Sequence, residues 1–164
     1  MVKQLPNQDA ELIALDDFLF IIDKTPLIAI DLIIKNEKNN ILLGLRNNKP
    51  AQGCWFVPGG RIRKNESIRT AFSRICESEI GIRFDVTVAR LIGVYEHFYD
   101  DCISNDATST HYIVLAYKLT LEHTPIPSDN QHSEYKWFKM VDLLCNHYVH
   151  DYTKAYFHSL ESTE

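Results

Sequence analysis

A glycine pair followed by a carboxylate-bearing helix is the part of this chain whose residue types and spacing could do chemistry. Gly59-Gly60 leads through Arg61-Ile62-Arg63-Lys64-Asn65 to Glu66, and Arg74-Ile75-Cys76-Glu77-Ser78-Glu79-Ile80-Gly81-Ile82 follows. A tight glycine turn lets a backbone carbonyl approach a metal ion, and the next helix can aim carboxylates in its direction. Oxygen-held Mg2+ is the usual means of neutralising a phosphate-rich substrate, so this pair of elements points to phosphate chemistry. One glutamate on a helix, read alone, is a solvated side chain; the combined spacing argues otherwise. Successive helical residues turn by about 100°, which puts positions 75, 78, 79 and 82 on one face. Ile75 and Ser78 carry no charge there, and Glu77 lies about 200° from Glu79, so the face offers one carboxylate. Several clustered metal ions are under-supplied by such a face, whereas a single Mg2+ is accommodated.

The elements that must position these groups are legible in the hydrophobic pattern. Residues 7–22 read as an N-terminal helix, with Leu12, Leu15, Leu19 and Ile22 at helical spacing and Pro26 beyond its end. Strands are expected at Leu27–Lys35 and Ile41–Arg46, joined as a hairpin by Asn36-Glu37-Lys38-Asn39-Asn40. Trp55-Phe56-Val57 reads as a short buried strand closed by Pro58. A helix from Glu66 to Ile80 presents Ile68, Ala71, Phe72 and Ile75 as one stripe, and Gly81 suits its C-terminus. Further strands are expected at Val88–Phe98, His111–Leu121 and Tyr135–Phe138, and short helices at Met140–Cys145 and Asp151–Leu160. Two polar loops separate them, Tyr99–Ser109 and Glu122–Ser133.

Composition narrows the classes. The 164 residues suffice for one domain with its own core, and 45% hydrophobic with 24% charged residues is ordinary globular usage. A net charge of −5 argues against broad nucleic-acid or membrane adhesion, while a small anionic ligand can still bind a local arginine cluster. Cys54, Cys76, Cys102 and Cys145 form no C-x-x-C pair and read as reduced, partly buried thiols. Leu12–Ile22 carries Asp16 and Asp17 and is neither a signal peptide nor a membrane span, so a cytoplasmic protein is expected.

Residues 60–82 resemble the Nudix box, the loop–helix–loop pattern G-x5-E-x7-R-E-U-x-E-E-x-G-U in which U is a bulky aliphatic residue. Gly60, Glu66, Arg74, Glu79, Gly81 and Ile82 match it; Ile75 and Ser78 stand in place of two glutamates. The resemblance implies a Nudix fold, an α/β mixed sheet sandwiched between helices, as a single domain over residues 1–164. It further implies the Gly59 carbonyl and the Glu79 carboxylate as metal ligands, with Glu66 fixing the loop and Arg74 orienting carboxylates. Gly60 and Gly81 carry over as structural members of the box.

The same depletion is known in one Nudix branch, the GDP-mannose mannosyl hydrolases, and the likeness extends over roughly residues 20–160. Pro26-Leu27-Ile28-Ala29-Ile30-Asp31 resembles that family's opening strand, and the run from Arg46 through Trp55 to Arg61 resembles its approach to the box. His97-Phe98-Tyr99-Asp100-Asp101, Ser109-Thr110-His111-Tyr112 and Gln131-His132 before Tyr135-Lys136-Trp137-Phe138 continue it. The resemblance implies Mg2+-dependent attack of water at C1 of the sugar with inversion, releasing GDP and free hexose. It implies His132 as the base, a residue type whose ordinary pKa suits proton acceptance near neutrality. Read alone, a loop histidine is a surface group. Gln131 carries over as a third Mg2+ ligand through its amide oxygen, a weak tether, and Mn2+ can substitute.

Arg46 and Arg61 carry over as stabilisers of the leaving diphosphate, a role suited to the planar, always-charged guanidinium. Tyr112 carries over as a further donor, and Asp31 and His97 as sugar-contacting or water-orienting groups. For Asp31 the alternative is an outward carboxylate on an alternating strand, and His97 is similar. Lys49, Pro50 and Gln52, or Tyr99-Asp100-Asp101, either touch guanine or close the pocket; Trp55 and Trp137 read as core. The expected ligand is a GDP-sugar (GDP-mannose, with GDP-glucose as a relative), not nucleic acid or membrane, and the family likeness implies a homodimer. The rival enzyme is a Nudix pyrophosphatase attacking phosphorus in a nucleotide sugar or nucleoside triphosphate. A third reading is a nucleotide-sugar sensor without turnover.

Overall fold

The computed structural model describes residues 13–104, 108–121 and 132–158. Its organising element is strand β1 (Leu27–Lys35), an almost unbroken run of Leu and Ile that is buried on both faces. Such a strand needs cover on each side of the sheet. It runs parallel to β6 (Thr110–Thr120) along its whole length, from Leu27↔Tyr112 to Lys35↔Thr120. With β2 (Ile41–Arg46) it shares only Lys35↔Ile41 next to the turn. That turn is closed by the Asn36 carboxamide, whose Oδ1 accepts from the Lys38 and Asn40 N–H groups at 3.0 and 2.9 Å.

The expected hairpin therefore exists at its tip and then splays. β4 (Gly59–Arg61) takes the freed edge of β1, pairing Ala29↔Arg61, Ile30↔Gly60 and Asp31↔Gly59. β2 turns instead to β3 (Trp55–Phe56) and β7 (His132–Phe138). β5 (Arg90–Tyr99) completes the seven-stranded mixed sheet by pairing antiparallel with β6.

Alternation along β1 sorts the core into two layers. Ile30, Leu32 and Ile34 pack with Ala71, Phe72, Ile75 and Ile80 of helix α2 (Ile68–Ile80). Ile33 faces the other way, with Leu143 of α3 (Met140–Cys145) and Tyr156 and Phe157 of α4 (Asp151–His158). Helix α1 (Leu15–Lys24) sets Phe18 and Ile22 against Leu27 and Cys102, with Tyr112 alongside. The sheet is thus enclosed by helices on both faces. All four cysteines are free thiols, Cys76 and Cys102 buried. No helix among the described residues is long and apolar enough to cross a membrane.

Several boundaries differ from expectation for local reasons. The N-terminal helix starts at Leu15 rather than near residue 7, and residues 7–12 lie outside the described residues. α2 begins at Ile68 because Ser67 is its N-cap, the hydroxyl accepting from the Thr70 N–H at 3.1 Å. Glu66 therefore belongs to the preceding turn, and Ile68 is exposed rather than part of the buried stripe. Gly81, at φ 73°, ends the helix, so Ile82 lies past it and is exposed rather than sharing the 75/78/79 face. Val88 falls in a 3-10 turn, and β7 starts three residues before Tyr135.

Candidate functional site

The turn between β4 and α2 is held by one acid–base pair. Arg74 donates from Nε to Glu66 Oε1 at 2.7 Å and from Nη2 to Oε2 at 2.8 Å, and Nη2 also reaches the Arg61 carbonyl at 2.8 Å. Glu66 Oε2 accepts from the Arg63 N–H at 2.9 Å, and the Glu66 N–H donates to the Arg63 carbonyl at 3.1 Å. Partial burial alone would raise the Glu66 carboxyl, but the bonds from Arg74 and Arg63 outweigh it and hold its pKa below the usual range. The arginine thereby pins both ends of the loop to the helix.

The α2 face turned to this loop carries hydrocarbon at Ile75. A Cβ placed on Gly60 would lie 3.2 Å from Ile75 Cγ1, and Ile75 is only 1% exposed. Glu79, one turn on, is equally enclosed. Its Oε2 accepts from the Tyr135 hydroxyl at 3.4 Å and lies 3.5 Å from His132 Nδ1, while Tyr135 Oη is 2.9 Å from the same nitrogen. One phenolic hydroxyl serves both contacts if its oxygen accepts from Nδ1–H and its proton goes to Glu79, which leaves Nε2 as the basic nitrogen.

His132 is not the loop group expected from its polar neighbours. It opens β7 opposite Arg46, is 7% exposed, and lays its ring against Gly44. A Cβ on Gly44 would sit 2.5 Å from His132 Cδ2.

Among the described residues no three His, Cys, Asp or Glu side chains gather into a metal cluster. Gln131, the expected amide ligand, lies outside the described residues. Among the described residues the Glu79 carboxylate, with a loop carbonyl and retained waters, would suit a single divalent ion rather than several bridged ones.

A second group gathers on the opposite face of β1. Asp31 is 7% exposed, so it is not an outward carboxylate. It pairs with Gly59, where a Cβ would meet Asp31 Oδ1 at 2.5 Å and the Ile30 carbonyl at 2.7 Å; only glycine allows this approach. Asp31 Oδ2 accepts from the Tyr156 hydroxyl at 2.5 Å, and the same hydroxyl lies 3.1 Å from His97 Nε2. Burial pushes the Asp31 pKa up to about 7, against the pull of the Tyr156 bond and the Arg46 charge. Burial, aided by the nearby His150, pushes His97 down to about 4.

Tyr152 stacks on the His97 ring at 4.2 Å, and its hydroxyl both accepts from the Phe98 N–H and donates to the Phe98 carbonyl, at 2.7 and 2.8 Å. Arg46 reaches this group from β2, with Nε donating to the Pro50 carbonyl at 2.9 Å and its guanidinium over the Phe56 ring. Arg61 extends over the face of Phe18 at 3.9 Å, which ties α1 to the box loop. Tyr112 packs beside Phe18; burial raises its phenol, and the Arg61 and Arg46 charges oppose the rise.

The structure thus brings Asp31, His97, Arg46, Tyr112 and Gly59 to one side of the sheet, and Glu79 and His132 to the other, with the box loop between. Lys49 and Asp101 meet at 4.0 Å, so the loops before Trp55 and after Tyr99 touch. Trp55 packs edge-on to Phe138 and Trp137 lies against the α2 layer, as core groups do. Sequence reasoning gave no role to Tyr135, Tyr152, Tyr156 or Gly44. Tyr135 stood inside a quoted motif, and Tyr152 and Tyr156 share a helical face four residues apart, but neither fact signals a partner on a distant strand.

A family model described as NUDIX domain matches residues 25–158. The low-salt glycan biosynthesis protein Agl8 of Haloferax volcanii is 39% identical over 140 residues, 85% of this chain and 88% of its own. An ADP-ribose pyrophosphatase of Methanocaldococcus jannaschii is also 39% identical, but over 70 residues, 43% of this chain and 40% of its own. Among solved structures, the MutT protein from Methanosarcina mazei Go1 superposes with a TM-score of 0.70 at 22% identity, covering 86% of this chain and 99% of that one. At that identity the likeness speaks for the fold.

Proposed function

The chain belongs to the NUDIX-domain family of hydrolases, and within it we propose a glycosyl hydrolase that converts a GDP-hexose, GDP-mannose first and GDP-glucose as a relative, to GDP and free hexose. The observation that carries this reading is Ile75. It fills, with core hydrocarbon, the place beside the Gly60 turn where the box pattern has a carboxylate. Attack at phosphorus by a metal-held hydroxide calls for a richer set of carboxylates. Attack at carbon calls for a base, a positioned sugar and a stabilised leaving group.

Each requirement has residues to meet it. Water adds to C1 from the side opposite the diphosphate, the C1–O bond breaks with its electrons going to GDP, and the water proton passes to His132. Glu79 and Tyr135 steady the imidazolium through Nδ1. The ring is enclosed against Gly44 and lies across the sheet from Asp31 and His97, so this role requires the start of β7 to carry it over to the side where those groups would hold the hexose. Arg46, Arg61 and Tyr112 bind the departing diphosphate, and Asp31 and His97 contact the hexose or orient the water. Glu79, the Gly59 carbonyl and Gln131 would hold Mg2+, or Mn2+ in its place, and that charge would further neutralise the diphosphate.

The glycan connection in the name of the Haloferax relative supports a nucleotide-sugar substrate. The Methanocaldococcus relative's name supports the rival reading, cleavage at phosphorus. Turnover of GDP-mannose in 18O-labelled water separates them: label in the free hexose is expected, and label in a phosphate product sinks the proposal. We take the protein as a cytoplasmic homodimer; a monomer mass by light scattering at working concentration removes the dimer from the picture.

A further inference from the structure

Building on the GDP-hexose reading, we propose that Tyr156 is a positioning residue for hydrolysis at C1. Its one hydroxyl fixes both Asp31 and His97, so that helix α4 sets the orientation of the two groups assigned to the hexose. Asp31 stands on β1 and His97 on β5, strands that are not neighbours, since β6 runs between them. Tyr156 spans that gap. Its hydroxyl takes the Asp31 carboxylate on one side and His97 Nε2 on the other.

The intervening strand makes room: the residue of β6 opposite Asp31 is Ala116, buried and small. The phenol itself cannot drift, being fully buried and set edge-on to Tyr95 at 4.8 Å. One turn earlier, Tyr152 stacks on the His97 ring and ties both main-chain groups of Phe98. Two side chains from one helix thus fix the orientation of two polar groups from separate strands.

A tyrosine present only to fill the core needs one partner for its hydroxyl. A hydroxyl shared by the two groups assigned to the hexose should matter when the hexose reacts, and not when GDP binds alone. The label position in wild-type enzyme judges the GDP-hexose reading before any variant is made; label in phosphate ends that reading and this proposal with it.

With label in the hexose, Tyr156→Phe should lower kcat for hexose release about 10- to 100-fold while leaving the inhibition constant for GDP within about twofold. In a background carrying both Asp31→Ala and His97→Ala the same change should cost less than about threefold, because both groups it positions are gone. Unaltered kcat in Tyr156→Phe overturns the proposal. So does an equal loss in both backgrounds, or a loss of GDP affinity as large as the loss of kcat, since each marks a packing role alone.

Discussion

Gly44 shows how one absent side chain decides what a catalytic candidate can do. Its backbone is the floor on which the His132 ring lies, and an added Cβ would come within 2.5 and 2.6 Å of the ring's Cδ2 and Cγ. No side chain tolerates that approach unless the ring moves. The ring is held from above by Tyr135 at 2.9 Å and neighboured by Glu79, so movement breaks those contacts too. Gly44→Ala should therefore destabilise the protein by about 1–3 kcal/mol, the usual range for overpacking a filled site. Hexose release should drop while GDP binding persists. Urea unfolding and single-turnover assays check the two halves, and an alanine variant matching wild type in both would show that the ring is not confined as described.

Helix α2 is held at each end by a single residue, and each end has its own test. Ser67→Ala removes the acceptor for the Thr70 N–H and should cost about 1 kcal/mol. Gly81→Ala forces a side chain to φ 73°, with a penalty of about 1 kcal/mol. Unfolding midpoints unchanged in both variants would mean that tertiary packing, not capping, bounds the helix. Elements such as this one were legible in sequence because their signals are local. The Leu/Ile run of β1 and the five-residue turn after it fix β1 and β2 to the residue. β4 was not legible: Gly59-Gly60-Arg61 has no strand signal and pairs only because β1 offers an edge once β2 diverges. The Glu66–Arg74 pair came with the resemblance to the box, both partners lying on one loop and the helix that follows it. The Asp31–Tyr156 bond joins residues 125 positions apart, and nothing local announces it.

At the scale of the whole molecule, the sheet separates two polar groups, and the one beneath α4 buries ionisable side chains whose pH responses oppose each other. His97 takes its proton near pH 4 when folded, against an ordinary value of 6.5. Between those values the unfolded chain binds more protons, so His97's contribution is present above pH 6.5 and is lost as pH falls toward 4. Asp31 behaves inversely: folded it protonates near 7, unfolded near 3.8, so its contribution is present at low pH and lost as pH rises through 7. The other groups facing His97 are His150, which burial also disfavours in its charged form, and the phenols of Tyr99, Tyr152 and Tyr156. Acidification from pH 6.5 to 4 therefore sets an Asp31 gain against a His97 loss. His97→Asn removes only the loss. Measured by urea unfolding across that range, the variant should gain on wild type by up to about 3 kcal/mol as pH falls. Parallel stability curves for the two proteins would show that His97 charges as freely in the fold as out of it, contrary to its burial between Tyr152 and Tyr156.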